Sequence, residues 1–155
     1  RCGASLCAAR ALAAALEARW VLALPKERGS AGVQCWWPVQ PNSLFNVARD
    51  WVESLPLSVG QMVPVLVSWE WSKRVREGKA RLDFTQNAIN RTLVAPYSAR
   101  PSPGAPVSVP IRWEELDDPE LAPDRWTIQT LPERLSEVGE LFAPALTLAQ
   151  ELPPL

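Results

Sequence analysis

The chain contains no histidine. That absence excludes Ser-His-Asp and Cys-His nucleophilic sites, HExxH metalloprotease helices and zinc sites built on imidazole. Cysteine is scarce: Cys2, Cys7 and Cys35 are an odd set with no CxxC pair, so neither a disulfide framework nor a thiolate zinc site is supported. A reduced, cytoplasmic setting is the matching expectation. No apolar run approaches the roughly 18 residues that a membrane-spanning helix needs. There is no GxGxxG, and no GK[ST] closes a phosphate loop. Methionine is limited to Met62 and the chain opens on Arg1, so a piece of a longer protein is expected. The Ala/Leu-rich opening carries Arg10 and Glu17, which makes it a poor signal peptide.

What is present fits a folded chain of about one domain. Apolar residues make up 47% of the 155 and charged residues 21%, which argues against wholesale disorder. The formal net charge of −1 hides an asymmetry. Residues 70–112 hold eight basic side chains (Lys73, Arg74, Arg76, Lys79, Arg81, Arg91, Arg100, Arg112) against three acids, Glu70, Glu77 and Asp83. From Trp113 onward ten acids face Arg125 and Arg134 alone. A basic segment of this kind suits phosphate or nucleic-acid contact, with Lys73, Arg74, Arg76 and Arg91 as the candidate DNA contacts. It serves equally as a solvated face paired with the acidic tail.

Periodicity predicts an amphipathic helix over 5–19, from Leu6, Ala9, Leu12, Ala13 and Leu16. A short strand over 20–24 is expected to stop at Pro25, and a glycine-punctuated loop over 26–32 leads into the apolar run 33–39. Pro41-Asn42-Ser43 supplies a helix start, Leu44, Val47, Ala48, Trp51 and Leu55 mark one face, and Pro56 is expected to end the helix. The odd positions from Val63 to Trp71 are all apolar, which predicts a half-buried strand weakened by Pro64. Residues 70–77 read as helical. Short strands are expected at 81–84, 92–97 and 125–130, an extended proline-rich stretch over 98–110, and helices at 113–117 and 132–138. Most of the tryptophans are expected in the core. The mixture is α+β.

Three local features could carry chemistry. The loop at 26–32 places Lys26, Gly29, Ser30 and Gly32 so that backbone N–H groups can approach an anion, although most such loops are plain turns. Asp83 lies on the face of its strand opposite Leu82 and Phe84; one carboxylate alone is no metal site. Arg100 follows Ala95-Pro96-Tyr97-Ser98-Ala99 and offers a guanidinium fork.

Read together, these pieces resemble a known family. Asp83-Phe84-Thr85-Gln86-Asn87, then Arg91-Thr92-Leu93-Val94-Ala95-Pro96-Tyr97-Ser98-Ala99-Arg100, then Pro103-Gly104-Ala105-Pro106-Val107-Ser108-Val109-Pro110 and Trp113-Glu114-Glu115-Leu116 resemble the polymerase domain of bacterial DNA ligase D. That family belongs to the archaeo-eukaryotic primase superfamily and serves non-homologous end joining. Pro25-Lys26-x-x-Gly29-Ser30-x-Gly32-Val33 is similar to its second motif. The resemblance implies a palm-like mixed sheet flanked by helices, incomplete at the N-terminus. It implies one partial domain over 1–155: a leading helix and strand (1–24), a catalytic-core-like segment (25–112) and an acidic helical segment (113–155).

The activity implied is template-directed nucleotide addition at DNA ends, with manganese or magnesium as cofactor. The implied partners are DNA ends, a nucleoside triphosphate, ligase and Ku-type end-binding proteins, in a bacterial cytoplasm and associated with the nucleoid. By the resemblance Asp83 is a catalytic metal ligand, while Lys26, Ser30, Gly32, Gln34 and Arg100 grip the triphosphate. Gln34 stands where the family carries histidine, and Arg28 and Ala31 replace the usual serine and basic residue. An upstream aspartate pair is absent from these residues, so this chain alone is not expected to polymerise. The alternatives are a catalytically dead DNA- or nucleotide-binding remnant and a structural remnant that folds poorly.

Overall fold

The computed structural model describes residues 3–41 and 44–154. Its elements are α1 (Ala4–Glu17), β1 (Leu24–Glu27), β2 (Val33–Trp36), α2 (Phe45–Met62), a 3-10 helix (Trp113–Asp117), α3 (Leu131–Val138) and α4 (Pro144–Thr147). The class is α+β, and the chain divides into two units.

The first unit comprises 1–22, 39–93 and 149–155. In α1 the buried positions are Ala8, Ala9, Leu12 and Leu16, a helical spacing that aims one face at the core. Trp51, Leu55 and Val59 do the same for α2. Pro56 sits inside α2 rather than ending it: it cannot donate to Val52, but its ring is buried and the helix runs on to Met62. Ala8, Val67 and Ala80 form a small core on which Ala4, Val63, Leu66 and Leu82 pack. The C-terminal tail docks through side-chain hydrogen bonds. The Gln150 amide accepts from Leu22 N at 2.9 Å and donates to Leu22 O at 2.8 Å, and Trp51 Nε1 donates to Pro153 O at 2.9 Å.

Several expectations fail in this unit for physical reasons. Residues 63–71 form no strand. Only Val67 pairs, in an isolated parallel bridge with Ala80, while Val65 and Trp71 point into solvent. Period-two spacing describes a strand only when one face has something to cover it. Residues 73–78 are turns rather than a helix, and Gly78 with its positive φ closes them. Residues 81–84 form no strand either, yet the alternation holds: Asp83 is exposed while Leu82 and Phe84 are half-buried. Trp20, Trp69 and Trp71 lie outside the core. The proposed helix start at Asn42-Ser43 lies outside the described residues.

The second unit comprises 23–38 and 94–148. β1 and β2 pair antiparallel, with Lys26 opposite Gln34. The strand expected at 20–24 begins instead at Leu24 and carries Pro25 within it. Proline is tolerated there because its carbonyl, not its missing N–H, makes the bond, accepting from Ile111 N at 3.1 Å. Glu27 N donates to Val109 O at 2.8 Å, so 107–111 lies along β1. Residues 98–110 are not simply extended. The chain folds back at 102–105, with Arg100 N donating to Pro106 O and Ser108 N to Ser98 O. The strands expected at 92–97 and 125–130 reduce to irregular chain and to one bridge, Pro106 with Thr127. Val107, Val109, Ile111, Leu116, Trp126 and Phe142 are buried. Arg134 closes on Glu115 at 2.6 Å beneath the Trp126 ring.

Candidate functional site

In the second unit the sequence-predicted anion residues converge. Gly29 has φ +61, a left-handed conformation natural to glycine. It is also packed tightly: a Cβ there would lie 2.7 Å from Arg100 Cγ and 3.0 Å from the Val107 carbonyl. The glycine turn and the stem of Arg100 are thus in contact although far apart in sequence. Gly32, at φ +98, has open space around it, and Ser30 beside it is half-buried. Among the described residues the Arg100 guanidinium has no ion pair.

Lys26 is fully buried. Its ammonium donates to Ser108 Oγ at 2.5 Å and to Val94 O at 3.0 Å, and Ser108 Oγ in turn donates to Glu27 O at 2.9 Å. The lysine therefore stands beneath the turn, tying β1 to the 94–108 segment. Burial, then repulsion from Arg28 and Arg100, lowers its pKa to about 8. Burial raises the neighbouring Glu27 carboxyl to about 7, opposed by the Arg28 N–H that it accepts at 3.0 Å. Three cationic side chains against one reluctant carboxylate make this turn electropositive. Gln34 faces the same side of the ribbon as Lys26, being its cross-strand partner. Its Oε1 is buried and, among the described residues, accepts no hydrogen bond.

The first unit holds the other candidates. Asp83 is exposed, and its Oδ1 accepts from Thr85 N at 3.1 Å and from Thr85 Oγ1 at 2.6 Å. Arg81 Nη2 lies 3.8 Å from the same oxygen. Oδ1 is thereby oriented. Among the described residues no group of three His, Cys, Asp or Glu could hold a metal ion. One carboxylate such as Asp83 does not by itself make such a centre. Of the basic candidates, Lys73, Arg74 and Arg91 are exposed, whereas Arg76 is half-buried and donates to Glu70 O at 3.4 Å.

Sequence reasoning missed Ser108 and the Trp71–Arg81 stack. The Val107-Ser108-Val109 alternation signals a polar group on the opposite face, but nothing local points it at Lys26, 82 residues away. The Arg81 guanidinium carbon sits 3.4 Å from the Trp71 ring centroid. Among the described residues no helix is long and apolar enough to cross a membrane.

Comparison with known proteins converges on one family. Residues 3–142 match the family described as LigD, primase-polymerase domain. The multifunctional non-homologous end joining protein LigD of Mycolicibacterium smegmatis is 33% identical over 120 residues, 77% of this chain and 16% of that protein. Its Pseudomonas aeruginosa counterpart is 31% identical over 114 residues, 74% of this chain and 14% of that protein. The bifunctional LigD of Bacillus subtilis is 28% identical over 133 residues, 85% of this chain and 22% of that protein. The chain thus spans less than a quarter of the length of these relatives. The structure of the polymerase domain from Mycobacterium tuberculosis ligase D in complex with DNA superposes with a TM-score of 0.83 at 28% identity, covering 94% of this chain and 50% of that one. The chain belongs to the LigD primase-polymerase domain family.

Proposed function

We propose that this chain binds a nucleoside triphosphate and a DNA end as part of a template-directed nucleotidyl transferase in non-homologous end joining. The observation that carries this reading is the packing of the Gly29 turn against Arg100. It brings backbone N–H groups close to the stem of an arginine that makes no ion pair among the described residues, the kind of donor set that a polyphosphate requires. Lys26 acts there as a positioning residue, holding β1 in place and adding positive potential from below. Gln34 can donate a hydrogen bond to a phosphate oxygen, though it brings no charge.

Manganese or magnesium is the implied cofactor, with Asp83 as one ligand. Among the described residues no group completes a two-cation centre. The family membership supports DNA ends as the macromolecular substrate, and ligase and Ku-type proteins as partners, in a bacterial cytoplasm.

Calorimetric titration with a nucleoside triphosphate tests this reading. Saturable binding is expected, weakened about tenfold or more by Arg100→Ala, the range for losing a charge-assisted contact. DNA affinity should change by no more than about twofold. Equal loss for both ligands removes Arg100 from the nucleotide site.

A further inference from the structure

We infer that Trp71 is a stacking platform for an unpaired base of a DNA strand. The inference rests on the DNA-end reading above and names a contact for it. Trp71 is 70% exposed, an unusual position for an indole. One face of its ring is covered by Arg81 at 3.4 Å, and Arg81 is itself oriented by Asp83 Oδ1 at 3.8 Å, which Thr85 holds in turn. The ring is therefore backed by a guanidinium on one face, and its 70% exposure leaves area on which a base can stack. A cation–π stack costs little here because the Arg81 side chain is already largely withdrawn from solvent.

The surroundings select the occupant. Residues 70–81 carry Lys73, Arg74, Arg76, Lys79 and Arg81 against Glu70 and Glu77, and Lys73 and Arg74, two and three residues after Trp71, are exposed. An apolar peptide would leave these cations uncompensated, and a phosphodiester strand supplies both the anions and the π face. Bases inside a duplex are stacked on both faces and cannot use the platform, so the surface favours a single-stranded overhang. Asp83 lies only one side chain beyond Arg81, which places the stacked base next to the candidate metal ligand.

The test compares binding of a short oligothymidylate, an abasic phosphodiester of the same length and a covalently closed circular duplex to the full chain at one fixed salt concentration. Wild type should prefer the oligothymidylate to the abasic strand by about tenfold. Trp71→Ala should erase that preference, Trp71→Phe should retain most of it, and neither should change duplex affinity by more than about twofold. An unchanged preference in Trp71→Ala, or equal loss on all three ligands, overturns the platform while leaving DNA binding in place. If wild type binds none of the three, the DNA-end reading falls and the platform with it. Because the abasic comparison is made within wild type, the absence of a preference there refutes the proposal without reliance on a variant's folding.

Discussion

Lys26 and Glu27 are consecutive in β1 and buried, and burial moves their protonation equilibria toward each other. Glu27 rises from 4.5 to about 7, so between those values the folded chain binds more protons than the unfolded one and stability falls as pH rises. Lys26 drops from 10.5 to about 8, so between those values the unfolded chain binds more protons and stability rises with pH. The pair together produces a stability minimum near neutrality. Each arm is capped at about 3 kcal/mol, and residual solvation brings it to roughly 1–3 kcal/mol. Urea melts across the pH range should show that Glu27→Gln flattens the acid arm alone and Lys26→Met the alkaline arm alone. If the difference between wild type and each variant does not vary with pH, this account is wrong. The absolute offset carries no information, since Lys26→Met also strips a donor from Ser108 and Val94.

Among the elements, β1 and the 94–108 segment are joined by Ser108 as much as by backbone. Its hydroxyl accepts from the Lys26 ammonium and donates to Glu27 O with no access to water. Ser108→Ala leaves a buried ammonium with Val94 O as its remaining partner, and should cost about 1–3 kcal/mol. Thermal melts should show the loss, and triphosphate affinity should fall with it, because the Gly29 turn is hung on the same strand. A stable variant with normal affinity would show that the linkage is incidental. Such a linkage is hard to read from sequence, since its partners are 82 residues apart. Local signals fared better. The apolar spacing of 5–19 locates α1 to within two residues at each end, and proline in the first turn locates α3. The Asp83 alternation also holds, because the Leu82 and Phe84 side chains need only a neighbour to lean on. By contrast 63–71 has the pattern of a strand without a partner for it, and Pro56 punctuates a helix whose packing overrides the lost hydrogen bond. The glycine turn and Arg100 were legible as motifs, but their contact was not, since it depends on the fold-back at 102–105.

At the scale of the whole molecule, the near-zero net charge conceals a basic segment and an acidic tail, at 8 − 3 = +5 over residues 70–112 and 2 − 10 = −8 beyond them. A uniformly neutral surface would bind DNA weakly and with little response to salt. A basic segment releases counterions from the strand it contacts, so affinity should fall steeply and log-linearly with salt. Single strands give a slope of about −0.7 for each phosphate neutralised. Lys73 and Arg74 are exposed and carry no ion pair among the described residues, so they are free to contribute fully. Replacing both with alanine should make the slope for an oligothymidylate shallower by about 1.4, twice the single-phosphate value. Arg125→Ala should leave the slope unchanged, because that guanidinium is already engaged by Asp118. The contrast matters more than either number. The acidic segment also contains arginine, and a slope that responded to both substitutions alike would mean that bulk charge, rather than the 70–81 surface, governs DNA binding.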